Sequence, residues 1–333
     1  MNTQNKLIQK LQNIIPSTRV KTNEPLANHT YIKIGGPADI LVQTQNNQEL
    51  VQVYRLALEY KIPTFFLGSG SNIIVSDQGI RGLVIKNRAD SIKLTNFHGD
   101  IKSKNIQIDK VGLEVDSGVI TNHLVRYSID QGLSGLEFFL GIPGTVGGAI
   151  YNNSHYSEQL IGDRVKSVKT LSRQGKEVSY DHQEIKFDYD YSIFQKNHEL
   201  ILSAVFTLKP SDKIQLWEKA TQYAKNRSLS QPLSTPNSGC MFKNITQIQA
   251  ARAGIHHTTS TGYLIDQAGL KGIHVGDAYV SEKHANFIVN RGNATAQDVK
   301  KLVKEIQSKI RKKYRISIQP EVFFIGPILD HTP

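Results

Sequence analysis

Leu7, Ile8, Leu11, Ile14 and Ile15 recur at helical spacing before Pro16, which predicts an amphipathic N-terminal helix rather than a signal peptide. Residues 38–44 read as a strand and 47–60 as a helix with Leu50, Val53, Leu56 and Ala57 inward. Residues 64–67 read as a second strand, completing a βαβ unit. Two short apolar strands at 73–75 and 83–86 are split by an Asp-Gln-Gly turn. From 90 to 116 the pattern turns alternating and polar, as in exposed antiparallel strands. A helix over 120–131 follows, closed by Gly132 and Gly135. Further strands are predicted around 165–171 and 200–208 and a helix near 216–228. The serine- and proline-rich run SQPLSTPNSGC then marks the entrance to another domain.

A chain of 333 residues with 39% hydrophobic content predicts two or three folded domains. Its apolar stretches fall short of the roughly 18 residues that would suggest a membrane span, so the expectation is a cytoplasmic protein. The single cysteine excludes an intrachain disulfide framework and a multi-cysteine metal site. The 11 histidines lack metal-ligand spacing, so no metal is expected. The net charge of +11 raises nucleic acid as a partner, but its distribution matters more than its sum. Eight Lys and Arg residues lie between Lys300 and Arg315, where Val299, Leu302, Val303, Ile306 and Ile310 keep helical spacing. With no aromatic interleaving, this reads as a docked helix with a solvated basic face. Attraction of an anionic small substrate is a further reading of the same charge.

Two glycine-rich loops carry the first chemical signal, GSGSN at 68–72 and GIPGTVGG at 141–148, each after an apolar segment. Glycine lets backbone amides approach and converge on an anion. GSGSN lacks the Lys-Ser/Thr ending of a Walker loop and has Ile73 where a dinucleotide fingerprint has its third glycine. By itself it is a glycine-serine turn. The second loop sets Pro143, which fixes φ and removes a donor, among four glycines, a costly construction unless something lies against it. Together the loops read as a cradle for a large anionic cofactor.

Other candidates are ordinary in isolation. Cys240 in NSGCMFKN could be a small buried hydrophobe, or, beside Gly239 and Lys243, an exposed proton donor or nucleophile. Glu321 in QPEVFFIG could be a surface carboxylate at a strand start, and Lys283, His284 and Asn286 stand on or just before another strand.

Taken in order, IGGPAD, GSGSN followed by IIVSD, EFFLGIPGTVGGAIYNN, SGCMFKN, STGYLIDQAGLKG, VSEKHANFIVN and PEVFFIG resemble the UDP-N-acetylenolpyruvoylglucosamine reductase (MurB) family over almost the whole chain. The spacing is similar to its shorter, second type. The resemblance implies an α+β protein. Its FAD-binding domain would be of the vanillyl-alcohol-oxidase type (PCMH-like), in two subdomains over 1–86 and 87–210. A C-terminal α/β substrate domain would follow over 211–318, with the tail 319–333 returning to the first. It implies bound FAD, NADPH as co-substrate, a small UDP-sugar as substrate, and a monomer with no nucleic acid or membrane partner. The enolpyruvyl ether would receive a hydride at its terminal carbon and a proton at the neighbouring carbon.

By the same resemblance, Gly68, Ser69, Gly70, Ser71 and Asn72 hold the FAD together with Gly141, Ile142, Pro143, Gly144, Thr145 and Gly148. Cys240 aligns with the family's proton donor, more often serine. A thiol, with reference pKa about 8.5, stays mostly protonated near neutrality yet donates more readily than a hydroxyl. Glu321 aligns with the catalytic carboxylate, and Tyr189, Lys243, Asn244 and His284 with the substrate pocket. The sequence departs from the family in two places. Asp190 stands where the Tyr-Arg-x-Ser block has a catalytic-site arginine, and Asn152-Asn153-Ser154-His155-Tyr156 replaces Asn-Ala-Gly-Ala-Tyr. Reversing the charge at 190 removes a bidentate anion clamp. It predicts either a compensating cation, Lys243 or an arginine near Arg252, or a flavoprotein of the same fold with an altered substrate.

Overall fold

The structure, a computed structural model, describes residues 3–102, 105–156 and 158–326. Of the tail 319–333 that the sequence predicts to return to the first domain, residues 327–333 lie outside the described residues. The chain divides into two compact units: 1–22, 40–69 and 82–227 form the first, and 23–39, 70–81 and 228–333 the second.

The first unit holds two cores. In one, the helix Thr3–Ile14 buries Leu7 and Leu11, and the helix Asn47–Glu59 buries Leu50, Val53 and Ala57, against Ile40, Val42, Leu83 and Ile85. Asn46 starts the second helix by accepting from Glu49 N at 2.8 Å, which satisfies a donor that has no partner inside the helix. The strand Thr64–Leu67 pairs in parallel with the strand Ile80–Asn87, in register from Thr64 opposite Leu83 to Leu67 opposite Lys86. The predicted strand–helix–strand succession is present, with Ile80–Asn87 lying between the strands Pro37–Thr44 and Thr64–Leu67 in the sheet order.

The other core of this unit lies on a six-stranded antiparallel sheet. Its main path runs Glu177–Asp181, Val165–Leu171, Leu200–Pro210, Asn105–Asp116 and Ile92–Lys102. Val111, Leu113 and Val115 alternate inward, as the period of two demands. The helix Thr121–Asp130 packs Leu124, Val125 and Ile129 on the same core.

The core of the second unit gathers Met241, Phe242, Leu264, Ile265, Ile288 and the helix Ala296–Tyr314. Thr295 and Asp298 close a reciprocal capping box at the helix start, each accepting the other's backbone N–H at 3.0 Å. Val299, Leu302, Val303, Ile306 and Ile310 are buried as their spacing predicts, and Lys301, Lys304, Lys309, Arg311, Lys312 and Lys313 face solvent. Among the described residues no helix is long and apolar enough to cross a membrane.

Ile306 is fully buried in this core. Ile306→Ala is expected to lower the free energy of unfolding by about 2–5 kcal/mol in urea titrations. Lys301→Ala, on the exposed face of the same helix, is expected to change it by no more than about 0.5 kcal/mol.

Candidate active site

The strand Thr64–Leu67 ends in the first glycine loop, and the chain passes from the first unit to the second between Ser69 and Gly70. Within the first unit, Gly68 lies against Thr145 of the second loop. A Cβ built on Gly68 would stand 2.5 Å from Thr145 Oγ1, a distance that real side chains do not tolerate. The two loops are thus in contact, and glycine at 68 is what permits it. Gly141 N donates to Asn122 Oδ1, Thr121 N donates to Gly144 O at 3.0 Å and Val146 N donates to Val119 O at 2.8 Å. These bonds fix the GIPGTVGG loop before the helix Val146–Asn152, whose first turn Thr145 caps by accepting from Gly148 N at 3.4 Å.

Ser69 Oγ, in the first of these loops, is buried and has no partner among the described residues. A buried hydroxyl left unsatisfied costs about 1–3 kcal/mol unless a ligand meets it. The close loop contact and this hydroxyl fit a bound anionic cofactor better than an ordinary connection.

Also in the first unit, Tyr189 and Asp190 are the central residues of a tight turn. Asp188 and Tyr191 exchange two backbone hydrogen bonds of 3.1 Å across it. Asp190 adopts φ 51°, a left-handed conformation to which aspartate is better suited than most residues. Its carboxylate is only 7% exposed and lies 3.2 Å from His155 Nδ1, and the His155 ring packs 4.8 Å from the ring of the exposed Tyr189. The two departures from the family pattern therefore meet in space.

In the second unit, Cys240 ends the strand Asn237–Cys240, which pairs with Phe287–Asn290 through a bulge. Gly239 takes φ 83° there, and the place where its Cβ would stand is open space. Beyond the bulge, Asn286 acts as a clamp. Its backbone oxygen accepts from Met241 N at 2.7 Å, its Oδ1 accepts from Phe242 N at 2.9 Å, and its Nδ2 donates to Phe242 O at 2.7 Å. The segment carrying Glu321 lies alongside. Phe242 forms an antiparallel bridge with Pro320, Glu321 N donates to Met241 O at 2.9 Å, and Lys243 N donates to Gln319 O at 2.9 Å. Glu321 thus sits opposite Met241, one residue from Cys240, and both are half-buried.

The tip of the first glycine loop is tied to that same segment. Phe323 N donates to Asn72 O at 3.1 Å, Asn72 Nδ2 reaches Glu321 O at 3.5 Å, and Phe323–Ile325 pairs in parallel with Ile73–Val75. The structure therefore brings Cys240, Glu321, Lys243 and Asn72 onto neighbouring backbone segments. Asn244 has a structural duty, its Oδ1 accepting from Thr261 N at 3.2 Å. His284 packs on Phe287, and its Nδ1 accepts from Asn286 N at 3.3 Å. Burial, the largest influence, holds its pKa below the ordinary value. Asn286 was legible in the sequence only as an ordinary polar residue near a strand. Its signal was a polar side chain inside an apolar run. Among the described residues no cluster of His, Cys, Asp and Glu is arranged to hold a metal ion.

Two outcomes follow. Gly68→Ala is expected to yield protein that retains markedly less flavin after gel filtration, read from visible absorbance per polypeptide, because the new methyl displaces Thr145. For His284, the unfolded imidazole takes up a proton at its ordinary value near 6.5, and the folded one only at lower pH. The stabilisation from keeping it neutral is full above about pH 6.5 and is lost as pH falls through the lowered folded value. The urea midpoint is expected to fall from about pH 7 to about pH 5.5, and His284→Gln to flatten part of that fall.

Comparison with known proteins bears on the whole chain. Residues 38–181 match the profile of a FAD binding domain, and residues 231–325 that of the UDP-N-acetylenolpyruvoylglucosamine reductase C-terminal domain. The chain is 38% identical to UDP-N-acetylenolpyruvoylglucosamine reductase of Carboxydothermus hydrogenoformans, covering 93% of this chain and 95% of that protein. It is 33% identical to the reductase of Staphylococcus aureus, covering 96% of each. The crystal structure of the Thermus caldophilus reductase superposes with a TM-score of 0.73 at 30% identity, over 92% of this chain and 99% of that one. Identity at this level over nearly the full length carries the loops, the Cys240 strand and the Glu321 segment together, and the chain belongs to the UDP-N-acetylenolpyruvoylglucosamine reductase family.

Proposed function

We propose that this protein reduces the enolpyruvyl ether of UDP-N-acetylglucosamine to the lactyl ether of UDP-N-acetylmuramate, a step of peptidoglycan precursor synthesis, with NADPH as reductant and FAD as resident cofactor. The observation that carries the reading is the backbone pairing that sets Glu321 opposite Met241, one residue from Cys240. An acid and a carboxylate on adjacent segments suit addition of a hydride and a proton across a carbon–carbon double bond conjugated to a carboxylate.

Gly68, Ser69, Gly70, Ser71 and Asn72, with Gly141, Ile142, Pro143, Gly144, Thr145 and Gly148, would hold the FAD. When bound, FAD supplies the two-electron relay between NADPH and the enolpyruvyl double bond. Cys240 gives its thiol proton to the carbon next to the one that accepts the hydride. Glu321 stabilises the acid form that develops at the substrate carboxylate. Lys243 and Asn244 line the substrate pocket, and Tyr189 and His284 contribute to it. The space beside Gly239, the residue before the half-buried Cys240, is open, which suits a segment that must meet substrate. The protein acts as a cytoplasmic monomer on this small molecule, without nucleic acid or membrane. A dimer mass in light scattering would refute the monomer.

Cys240→Ala is expected to leave flavin reduction by NADPH unchanged in anaerobic stopped flow. Reoxidation by the UDP-enolpyruvyl sugar should slow by about 10² to 10⁴, the contribution of a positioned acid. Cys240→Ser is expected to recover part of that loss. Equal loss in both half-reactions would refute the assignment.

A further inference from the structure

His155 and Asp190 are separated in sequence, yet the backbone ties their segments at several points. Asn153 takes φ 47°, and its side chain accepts from Gly162 N and donates to Asp188 O, both at 2.9 Å. Ser192 Oγ donates to Tyr151 O at 2.8 Å, and Gln195 Nε2 reaches both Tyr151 O at 3.0 Å and Asp190 O at 2.9 Å. The Tyr189–Asp190 turn is thereby held against 151–155, and neither side chain of the pair is placed by a floppy loop.

A carboxylate as buried as that of Asp190 demands compensation, because desolvation penalises the charged form. His155 stands 3.2 Å away to give it. The consequence for the imidazole is orientation. With Nδ1 directed at the carboxylate, Nε2 becomes the outward nitrogen, and among the described residues it has no partner. A carboxylate–imidazolium pair of this kind fixes the ring and, with the first N–H on the carboxylate, presents the second in a set direction. Beside that donor lies the ring of Tyr189, 40% exposed. An oriented N–H next to an accessible aromatic face fits a ligand that combines an anionic oxygen with a flat or apolar body.

We propose that His155, oriented by Asp190 and packed against Tyr189, is a substrate-binding residue that, with both ring nitrogens protonated, donates from Nε2 to an anionic oxygen of the UDP-sugar. This rests on the reductase reading for the identity of the ligand. The oxygen belongs either to the diphosphate or to the enolpyruvyl carboxylate, which share the same acceptor chemistry. Asp190 is a positioning residue that acts through His155, and the two positions form one functional substitution rather than two independent ones.

The test is equilibrium dialysis of the FAD-loaded protein with two probes. One is the UDP-enolpyruvyl sugar, and the other is UDP-N-acetylglucosamine, which keeps the diphosphate and lacks the carboxylate. His155→Ala is expected to weaken binding of the enolpyruvyl sugar by about ten- to a hundredfold, the worth of one charge-assisted hydrogen bond. Loss with both probes assigns the contact to the diphosphate, and loss with the first alone assigns it to the carboxylate. Because His155→Ala leaves a buried carboxylate without its imidazole, the His155→Ala, Asp190→Ala pair repeats the measurement without that charge. Asp190→Asn is expected to show a smaller rise in KM with kcat and NADPH-dependent flavin reduction unchanged. Binding of both probes within about twofold of the unsubstituted protein in the single and double variants would overturn the proposal. If the unsubstituted protein reduces its flavin with NADPH yet neither binds nor reduces the sugar, the reductase reading falls and this one with it.

Discussion

One buried amide holds the chemistry of the second unit in place. Asn286, 3% exposed, gives Phe242 both of its backbone partners and takes Met241 N on its own carbonyl. A side chain here does the work of a strand neighbour just past the point where the ladder ends at Cys240 and Phe287. The residues proposed to carry the chemistry are all referred to that segment. Cys240 precedes it, Lys243 follows it, and Glu321 is bonded to Met241 within it. Leaving either Phe242 group unsatisfied in an apolar core would be costly, so the registration of Cys240 against Glu321 is secured by polar satisfaction rather than by packing alone.

The first unit solves a different problem, that of letting two loops approach closely enough to enclose a ligand. Its answer is the missing Cβ at Gly68 against Thr145, with a buried serine hydroxyl beside it. Glycine costs conformational entropy wherever it is placed, and the fold confines the close approach to the ends of well-anchored strands and helices.

How much of this was legible in the sequence depended on whether the signal was periodic. Val299, Leu302, Val303, Ile306 and Ile310 announced a docked helix, and the alternation over 111–115 announced a strand, because burial imposes the element's own period on the residues. The glycine loops stood out because Pro143 among glycines has few structural excuses, and the contact of Gly68 with Thr145 brings them together. What stayed hidden was pairing at long range. Nothing local tells that Asn286 serves Phe242, or that Glu321 lies opposite Met241. Likewise Asp190 and the residues before Tyr156 read as two separate anomalies, and a cation from Lys243 or near Arg252 as the natural remedy. In the fold the imidazole facing Asp190 is supplied by the other anomaly, His155. Of the borders between the units, the one at 227/228 lies beside a compositional signal, the serine- and proline-rich run after it, and that each unit is assembled from three stretches of chain has no local signature.

The chain has a single thiol, and it stands half-buried at the end of a strand, after a glycine whose missing side chain leaves open space. Any thiol-directed reagent therefore sees one chemical environment in the whole molecule. Labelling kinetics at Cys240 would report the accessibility of that strand end in the free protein and in each of its complexes, free of background from elsewhere in the protein and without engineering a single residue.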